Sequence, residues 1–511
     1  MADVKEIIQA IGKFYGGIIR DDKSKIVGVL SNAEEVDIFS NADYIQAEQI
    51  VSADTIPADT EIYGYTAGDD DIVYGYGKET VNNRLRIVSV ASGGSDNPGA
   101  FSTLYTQSSG TDLPSIVSDF KFFRTAEASN PAKILYIKGA SSTWNLYNYN
   151  IGTAAEISYG QLSGLTGSFM RPTIKIIYGE AFVCHGQYIA KVDKDNQFVE
   201  KAFTLPKEWE AIDIIPVSDI ALILARNKNR LVNETRCFWW DLTAANTFED
   251  SFSLPMGGPQ WLYNYKEVIY ILCAINGVAK FFLSQAYPGA KPIEMPNFKL
   301  TGLAVETTTQ PISSPKMLSS KDGIVYFGLC KTDKTGIYAL GQLDRDKPNA
   351  FILSKRFAVT DYVNHKPTAL LIQGSNYYAA YYDGTTASNC RCETNNSPAR
   401  SSQALIETIN IDADTPFTNK QLTRAYVSVY PLPASTSLDL YISSDFTNSY
   451  TQIKRANDTI FNSANGVLGL FRPKAFNNKK SFKAKVLFTS SGVNSPKLQN
   501  IGLRLIIKSL E

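Results

Sequence analysis

A short apolar or aromatic run, a tight polar turn and a second such run recur along most of this chain. Ile72-Val73-Tyr74-Gly75-Tyr76, Ile134-Leu135-Tyr136-Ile137, Ile174-Lys175-Ile176-Ile177-Tyr178, Val268-Ile269-Tyr270-Ile271-Leu272, Ile324-Val325-Tyr326-Phe327 and Tyr377-Tyr378-Ala379-Ala380-Tyr381-Tyr382 are runs of this kind. Each has the length of a strand and is rich in β-branched and aromatic residues. Asp69-Asp70-Asp71, Gly179-Glu180, Ser218-Asp219, Lys266-Glu267, Lys321-Asp322-Gly323 and Gly374-Ser375-Asn376 separate such runs, as hairpin loops do. From Glu180 onward these turns return at roughly 40 to 55 residues, the length of one four-stranded propeller blade. A blade cannot bury its faces alone, so radial stacking of copies supplies the core. Centres near Tyr74, Tyr136, Tyr178, Leu222, Ile269, Val325 and Tyr378 predict an all-β chain whose main body is a six- or seven-bladed β-propeller. Consecutive β-sandwiches are the rival architecture, and the longer period favours the propeller.

Helix signals are few. Residues 4–11 carry Val4, Ile7, Ile8 and Ile11 at helical spacing behind Asp3, which predicts two helical turns with a capping aspartate. Near Thr385 the chain turns polar, with Thr385-Thr386-Ala387-Ser388-Asn389 and Asn395-Asn396-Ser397-Pro398-Ala399-Arg400-Ser401-Ser402, a composition suited to an inter-domain crossing. Beyond it the alternation is cleaner. Leu438, Leu440 and Ile442 face one way and Asp439 and Tyr441 the other. Phe482, Ala484, Val486 and Phe488 alternate with Lys483 and Lys485, and Ile501, Leu503, Leu505 and Ile507 alternate with Arg504 and Lys508. About seven such strands describe a small β-sandwich of jelly-roll or immunoglobulin-like kind. The expected layout is an N-terminal extension with first strands over 1–50, a propeller over 51–395 and a sandwich over 396–511.

The 511 residues exceed the usual size of one packed core, in keeping with more than one domain. Fifty basic and fifty acidic residues give a formal net charge of zero, so no global field holds a polyanion or a membrane surface, and any nucleic-acid contact is local. Six cysteines, Cys184, Cys237, Cys273, Cys330, Cys390 and Cys392, sit mostly in apolar runs, as reduced thiols in a reducing compartment do. Asp3, Lys5 and Glu6 precede any apolar stretch, and no segment reaches about 18 uninterrupted apolar residues. Neither a secretion signal nor a membrane span is expected.

Chemistry-bearing constellations are sparse. Of the two histidines, His185 follows Cys184 in an apolar strand and His365 lies far away, and no nucleophile motif accompanies either. Cys390-Arg391-Cys392 lacks the spacing of a zinc knuckle. Asp69-Asp70-Asp71 lacks the spaced ligands of a calcium loop and reads as a turn. Gly64, Gly68, Gly75 and Gly77 form no phosphate-binding pattern. Phe238-Trp239-Trp240-Asp241 reads as blade packing with a single WD dipeptide. Ser443-Ser444-Asp445-Phe446-Thr447-Asn448-Ser449-Tyr450 is similar to the sialidase Asp-box turn, with Thr447 and Tyr450 in place of Gly and Trp, and predicts a hairpin. No catalytic, cofactor or metal residue is assigned. One segment stands out: Arg472, Lys474, Lys479, Lys480, Lys483 and Lys485 run without an acidic residue, interleaved with Phe471, Phe476 and Phe482. Such a stripe suits a polyanion or an acidic partner, and equally a sandwich edge protected by lysines.

Both ends of the chain carry a family resemblance. Phe14-Tyr15-Gly16-Gly17-Ile18-Ile19-Arg20-Asp21-Asp22, Val36-Asp37-Ile38-Phe39-Ser40-Asn41, Ile62-Tyr63-Gly64-Tyr65 and Val73-Tyr74-Gly75-Tyr76-Gly77 resemble the opening of virion proteins of tailed bacteriophages, with Ile18 where those have Met and Ala42 where they have Pro. Leu405-Ile406-Glu407-Thr408, Leu422-Thr423-Arg424, Pro431-Leu432-Pro433, Tyr441-Ile442-Ser443-Ser444-Asp445 and Ser495-Pro496-Lys497-Leu498 resemble their trailing β-sandwich. The resemblance implies a non-enzymatic structural component of the tail or neck, akin to propeller-bearing hub and nozzle proteins. It implies other virion proteins as partners, a homo-oligomeric ring, assembly in the bacterial host cytoplasm and no cofactor. A tail protein that binds a host-surface glycan, through aromatics such as Tyr147, Tyr149, Trp239 and Tyr263, is the alternative. A propeller-type glycan hydrolase with converging carboxylates is a second.

Overall fold

The computed structural model describes residues 5–12, 30–38, 44–49, 52–53, 56–69, 71–91, 99–108, 118–127, 131–140, 143–165, 172–229, 232–243, 245, 247–304, 312–331, 336–342, 351–357, 365–374, 376–383, 389–394, 399–412, 417–447, 449–457, 466–471 and 476–507. Among them there is no α-helix, and the chain is all-β. Among the described residues no helix is long and apolar enough to cross a membrane. Two compact units emerge: a larger one, Val51–Ile337 with Val359–Asn396, and a terminal one, Met1–Ile50 with Tyr338–Ala358 and Ser397–Glu511.

The larger unit is built mainly from four-stranded antiparallel sheets, of which A to E are consecutive up-and-down meanders. Sheet A holds Thr60–Ala67, Ile72–Glu79, Arg84–Ala91 and Ser102–Thr106. Sheet B holds Phe120–Arg124, Ala132–Ala140, Thr143–Asn150 and Ala155–Gln161, and sheet C holds Thr173–Ile177, Glu180–His185, Tyr188–Val192 and Phe198–Thr204. Sheet D holds Trp209–Val217, Ile220–Asn227, Thr235–Trp240 and Asp250–Leu254, and sheet E holds Pro259–Tyr265, Val268–Ile275, Val278–Gln285 and Ile293–Thr301. A hairpin of Leu318–Lys321 and Ile324–Leu329 follows. Sheet F holds His365–Gln373, Asn376–Asp383 and Asn389–Thr394, and its fourth strand is Ser52–Ala53 from the opposite end of this unit.

The turns named from sequence lie between the first and second strands. Ile177↔Glu180, Val217↔Ile220, Tyr265↔Val268 and Lys321↔Ile324 close two-residue loops. Tyr178 and Gly179, Lys266 and Glu267, and Asp322 and Gly323 all take positive φ, the left-handed pair that matches strand twist.

Neighbouring sheets share their cores. Tyr63, Tyr76, Phe120 and Tyr136 join A to B, and Leu135, Ile137, Ile174 and Val183 join B to C. Phe182, Phe203, Trp209 and Trp240 join C to D, and Leu222, Trp239, Ile269 and Phe282 join D to E. Trp261 meets Phe327 of the hairpin at 5.4 Å, and Tyr326 of the hairpin meets Tyr377 of F at 5.8 Å. Tyr65, Val73, Tyr378 and Ala380 join F back to A. The sequence of contacts therefore closes on itself, the arrangement of a β-propeller. Full burial of each Phe, as at Phe182 and Phe203, contributes about 1.5–3 kcal/mol.

The terminal unit draws on both ends of the chain. Lys5–Gly12, Leu498–Ile507, Lys420–Val429 and Gly466–Phe471 form one sheet in that order. Phe351–Phe357, Leu30–Glu34, Gln403–Thr408, Phe482–Thr489, Ser437–Ser444 and Thr451–Asn457 lie side by side in a second. Leu422, Val427, Ile501, Leu503, Ile406, Leu440, Val486 and Phe488 fill one core between them. Phe482–Thr489 alternates buried and half-buried without a break, as its sequence pattern predicts, whereas Asp439 is buried despite facing away from Leu438 and Leu440.

The helix expected over residues 4–11 is instead the strand Lys5–Gly12, paired from Lys5↔Ile507 to Gly12↔Asn500. An isolated two-turn helix is marginal in water, and the exposed edge of Leu498–Ile507 offers its β-branched residues a full ladder.

One side chain ties three parts of the ring together. Lys316, 8 % exposed, sits in the short 3₁₀ turn Pro315–Met317 just before the hairpin. Its ammonium donates to the carbonyl oxygens of Tyr63 in sheet A at 2.9 Å and Ser118 at the head of sheet B at 3.3 Å. Lys316→Ala removes this donor from two buried carbonyls and opens a cavity. Urea unfolding at neutral pH should show a loss of about 2–4 kcal/mol, and an unchanged midpoint would mean that the ammonium adds nothing net.

Candidate functional site

Of the six cations singled out from sequence, Arg472 and Lys474 lie outside the described residues. The other four fall on one strand and the turn before it, and two of them face acids of the same unit. Lys483 reaches Glu407 at 4.0 Å. Lys485 pairs in register with Tyr441, and its ammonium lies 5.9 Å from that ring and 5.3 Å from the ring of Tyr450. Lys479 holds Asp445 Oδ2 at 2.8 Å. Lys480 donates its backbone N–H to Asp445 Oδ1 at 2.7 Å and leaves its side chain exposed.

Asp445 is thus the hub of a knot of turns. Its partial burial works against ionisation, but the Lys479 ammonium and the Lys480 N–H outweigh this and hold the carboxyl below its usual range. Its own N–H donates to Ser481 O at 3.1 Å. The Ser443 hydroxyl donates to Thr447 O, and the Thr447 hydroxyl donates to Ser444 O at 2.8 Å. This is the hairpin that the Asp-box-like passage predicts, joining Ser437–Ser444 to Thr451–Asn457.

A second turn is tied to the same place. Lys420 is fully buried, and its ammonium donates to Thr418 O at 2.9 Å and Lys480 O at 2.7 Å. Burial pushes its pKa below the ordinary lysine value. Lys420 and Lys479 also exchange backbone hydrogen bonds of 2.7 and 3.0 Å. Residues 417–420, 445–447 and 476–480 therefore form one hydrogen-bonded tip. It displays Phe417, 85 % exposed, Phe446, 56 % exposed, and the Lys480 side chain.

Phe446 is the unusual member. Asp445 and Phe446 take φ of 55° and 62°, and each left-handed residue with a Cβ costs roughly 1–2 kcal/mol relative to its right-handed form. Gly or Asn serves such a position at less cost. Sequence reasoning missed Phe417, Phe446 and Lys420. The legible signal was a bulky aromatic in Ser-Asp-Phe-Thr, where a left-handed turn closed by Thr447 N donating to Ser444 O favours Gly or Asn.

Within the larger unit, titratable groups are spent on holding sheets together. Asp119 accepts from Phe120 N and from Ile174 N of the next sheet, each at 2.8 Å. Asp213 accepts from Ile214 N and from Leu262 N of the next sheet at 2.9 Å, with Lys175 at 3.3 Å. Burial pushes the Asp213 carboxyl up, against the pull of Lys175 and the two N–H groups. Glu61 accepts from Tyr63 OH at 2.6 Å, and Glu210 holds Arg226 through 2.7 and 2.6 Å contacts. Asp69 pairs with Arg124, whose guanidinium lowers its pKa. No group of three potential metal ligands occurs among the described residues.

The aromatic platform expected for glycan binding is corrected in part. Tyr149 and Trp239 are 2 % and 0 % exposed, because both lie in inter-sheet cores. Tyr147 and Tyr263 are half-buried. Trp240 and Phe238 are likewise packed between sheets C and D. Cys184, Cys237, Cys273 and Cys330 are buried free thiols, and burial pushes Cys273 up to about 12. The side chains of His365, Cys390 and Cys392 lie outside the described residues.

No protein-family model and no curated protein sequence matches this chain. Solved structures do. An exo-β-1,3-galactanase from Phanerochaete chrysosporium in complex with galactose is 10 % identical, with 90 % of this chain and 100 % of that one covered at a TM-score of 0.30. The β-propeller domain of the Trilobed protease from Pyrococcus furiosus is 9 % identical, with 66 % and 93 % covered at 0.39. TolB from Acinetobacter baumannii is 13 % identical, with 59 % and 67 % covered at 0.31. At such scores a likeness fixes neither activity nor ligand.

His185 is fully buried with both ring nitrogens engaged, Nδ1 accepting from Gly164 N at 3.3 Å and Nε2 donating to Glu200 O at 2.9 Å. Burial lowers its pKa from 6.5 to about 4. The unfolded chain therefore takes up a proton that the folded chain refuses. The stabilisation is complete above about pH 6.5 and is lost as pH falls toward 4, by about 3 kcal/mol. Urea midpoints measured between pH 7.5 and 4.5 should fall accordingly, and His185→Gln should flatten that slope.

Proposed function

We propose that this chain is a non-enzymatic structural component of a tailed-phage virion, placed in the tail or neck and held in a symmetric complex by its two units. The reading takes the larger unit as a seven-bladed propeller, with the Leu318–Leu329 hairpin as the centre of the sixth blade. It takes the terminal unit as a β-sandwich closed by the N-terminal strands. The virion resemblance at both ends of the sequence supports it.

The observation that carries the proposal is the use to which the interior charges are put. Asp119 and Asp213 each clasp the backbone of the following sheet, Lys316 spans from the hairpin to sheets A and B, and Glu210 is locked to Arg226. A glycoside hydrolase needs one carboxyl poised as an acid and a second facing the reacting carbon. These carboxylates are aimed at main-chain N–H groups and cations of the protein itself. Chemistry that stiffens a ring suits a part that transmits load between neighbours and presents fixed surfaces.

Mixed with the other tail and neck proteins produced without it, the purified chain should enter a closed ring or a larger particle, visible by analytical ultracentrifugation and negative-stain imaging. Saturable hydrolysis of a host polysaccharide, abolished by one carboxylate substitution in a protein that stays folded, would overturn the proposal.

A further inference from the structure

We infer that the tip formed by residues 417–420, 445–447 and 476–480 is a docking anchor, which inserts Phe446 and Phe417 into an apolar, carboxylate-rimmed socket on a neighbouring protein. The inference rests on the assembly role proposed above and names the contact that would serve it.

Phe446 carries the argument. It holds a left-handed backbone next to a second left-handed residue, Asp445, and its ring remains 56 % exposed. Packing within its own unit thus returns little of the strain. Tyr178, the other exposed aromatic described at positive φ, donates its hydroxyl to Ser218 O, whereas the Phe446 ring has no polar group to spend in this way, and its exposure in a left-handed turn points to a contact made elsewhere. Phe417, at 85 % exposure, is the most exposed of the large hydrophobic side chains described.

The tip is also rigid. Asp445 bonds to Lys479 and Lys480, and buried Lys420 bonds to Thr418 O and Lys480 O. The two aromatic turns are therefore fastened to the same short stretch of backbone. Aromatic anchors on a preorganised frame bind with little ordering cost.

Charge selects the partner. Lys479 is matched by Asp445, Lys483 faces Glu407, and Lys485 lies over two tyrosines. Among the described residues, Lys480 is the exposed cation left at the tip. A nucleic acid would call for a run of available cations, one for each phosphate contacted. Two exposed phenylalanines beside one described exposed lysine instead match a protein socket with an apolar floor and an acidic rim.

The test uses the full chain and the tail and neck proteins produced without it. Phe446→Gly relieves the turn, so its melting temperature should equal or exceed that of the unmodified chain while its incorporation falls at least tenfold. Phe417→Ser should weaken incorporation without lowering the melting temperature, and Lys480→Glu should weaken it most at low salt. If Phe446→Gly incorporates like the unmodified chain, the anchor is overturned and the assembly role stands. If the unmodified chain joins no assembly, both fall. Retention of a labelled single-stranded oligonucleotide that Lys480→Glu abolishes would overturn the protein socket in favour of a polyanion. Self-association that Phe446→Gly reverses would overturn it in favour of a second copy.

Discussion

The ring depends on how the innermost strand of each sheet satisfies a backbone edge that no further strand covers. Buried main-chain groups left without partners cost as much as a lost hydrogen bond, and an uncovered edge invites wrong pairing. Here side chains from the adjoining sheet supply the partners. Phe122 N donates to Thr66 Oγ1, Ile174 N to Asp119, Leu262 N to Asp213, Ser313 N to Gln260 Oε1 and Ile372 N to Ser319 Oγ. From the acceptor side, Ile212 O receives the Thr173 hydroxyl. Each bond is local to one junction, yet the series runs nearly all the way round. Between F and A, tilted aromatic packing of Tyr65 against Tyr378 joins the sheets.

These junctions explain which parts of the fold were legible in sequence. Strand runs and first turns follow from nearest-neighbour chemistry, so Tyr74, Tyr136, Leu222, Ile269, Val325 and Tyr378 each fall in the strands of a different sheet or hairpin, with Tyr178 in the first turn of sheet C. The staples did not announce themselves. Asp119 precedes a Phe-rich strand and Asp213 interrupts an apolar one, and either reads as a turn or surface residue until its acceptor role across a junction is known. The N-terminal strand failed for a different reason. Its partner lies nearly five hundred residues away in sequence, and local spacing of Ile7, Ile8 and Ile11 favours a helix with no hint of that ladder.

The candidate site was half legible. A run of cations near the C-terminus marked the right strand and turn, because clustered lysines without acids are visible in one dimension. What cancels them is not visible: Asp445 and Glu407 come from other strands, and Tyr441 and Tyr450 lie across the sheet. Over its described residues, a stripe that suggested an electrostatic surface became, once folded, two lysines facing acids, one lying over tyrosine rings, one exposed lysine and two exposed rings nearby. For the four described cations the emphasis shifts from charge to shape, which is the ground of the docking contact proposed above.

The two units thus treat polar groups in opposite ways. In the larger unit, charge is buried and turned inward, and its Asp and Lys residues act as rivets between sheets that apolar packing alone would leave free to slide. In the terminal unit, the same kind of bonding, a carboxylate gripping a backbone N–H and an ammonium gripping carbonyls, fastens turns whose apolar side chains face out. A buried hydrogen-bonded knot beneath an exposed, strained phenylalanine reverses the usual order of a folded surface. Unstrained alternatives are open to that turn, since Gly at position 446 would ease the backbone and remove the exposed ring together. In the docking contact proposed above, burying the ring on binding would recover a cost that this exposed position leaves unreturned.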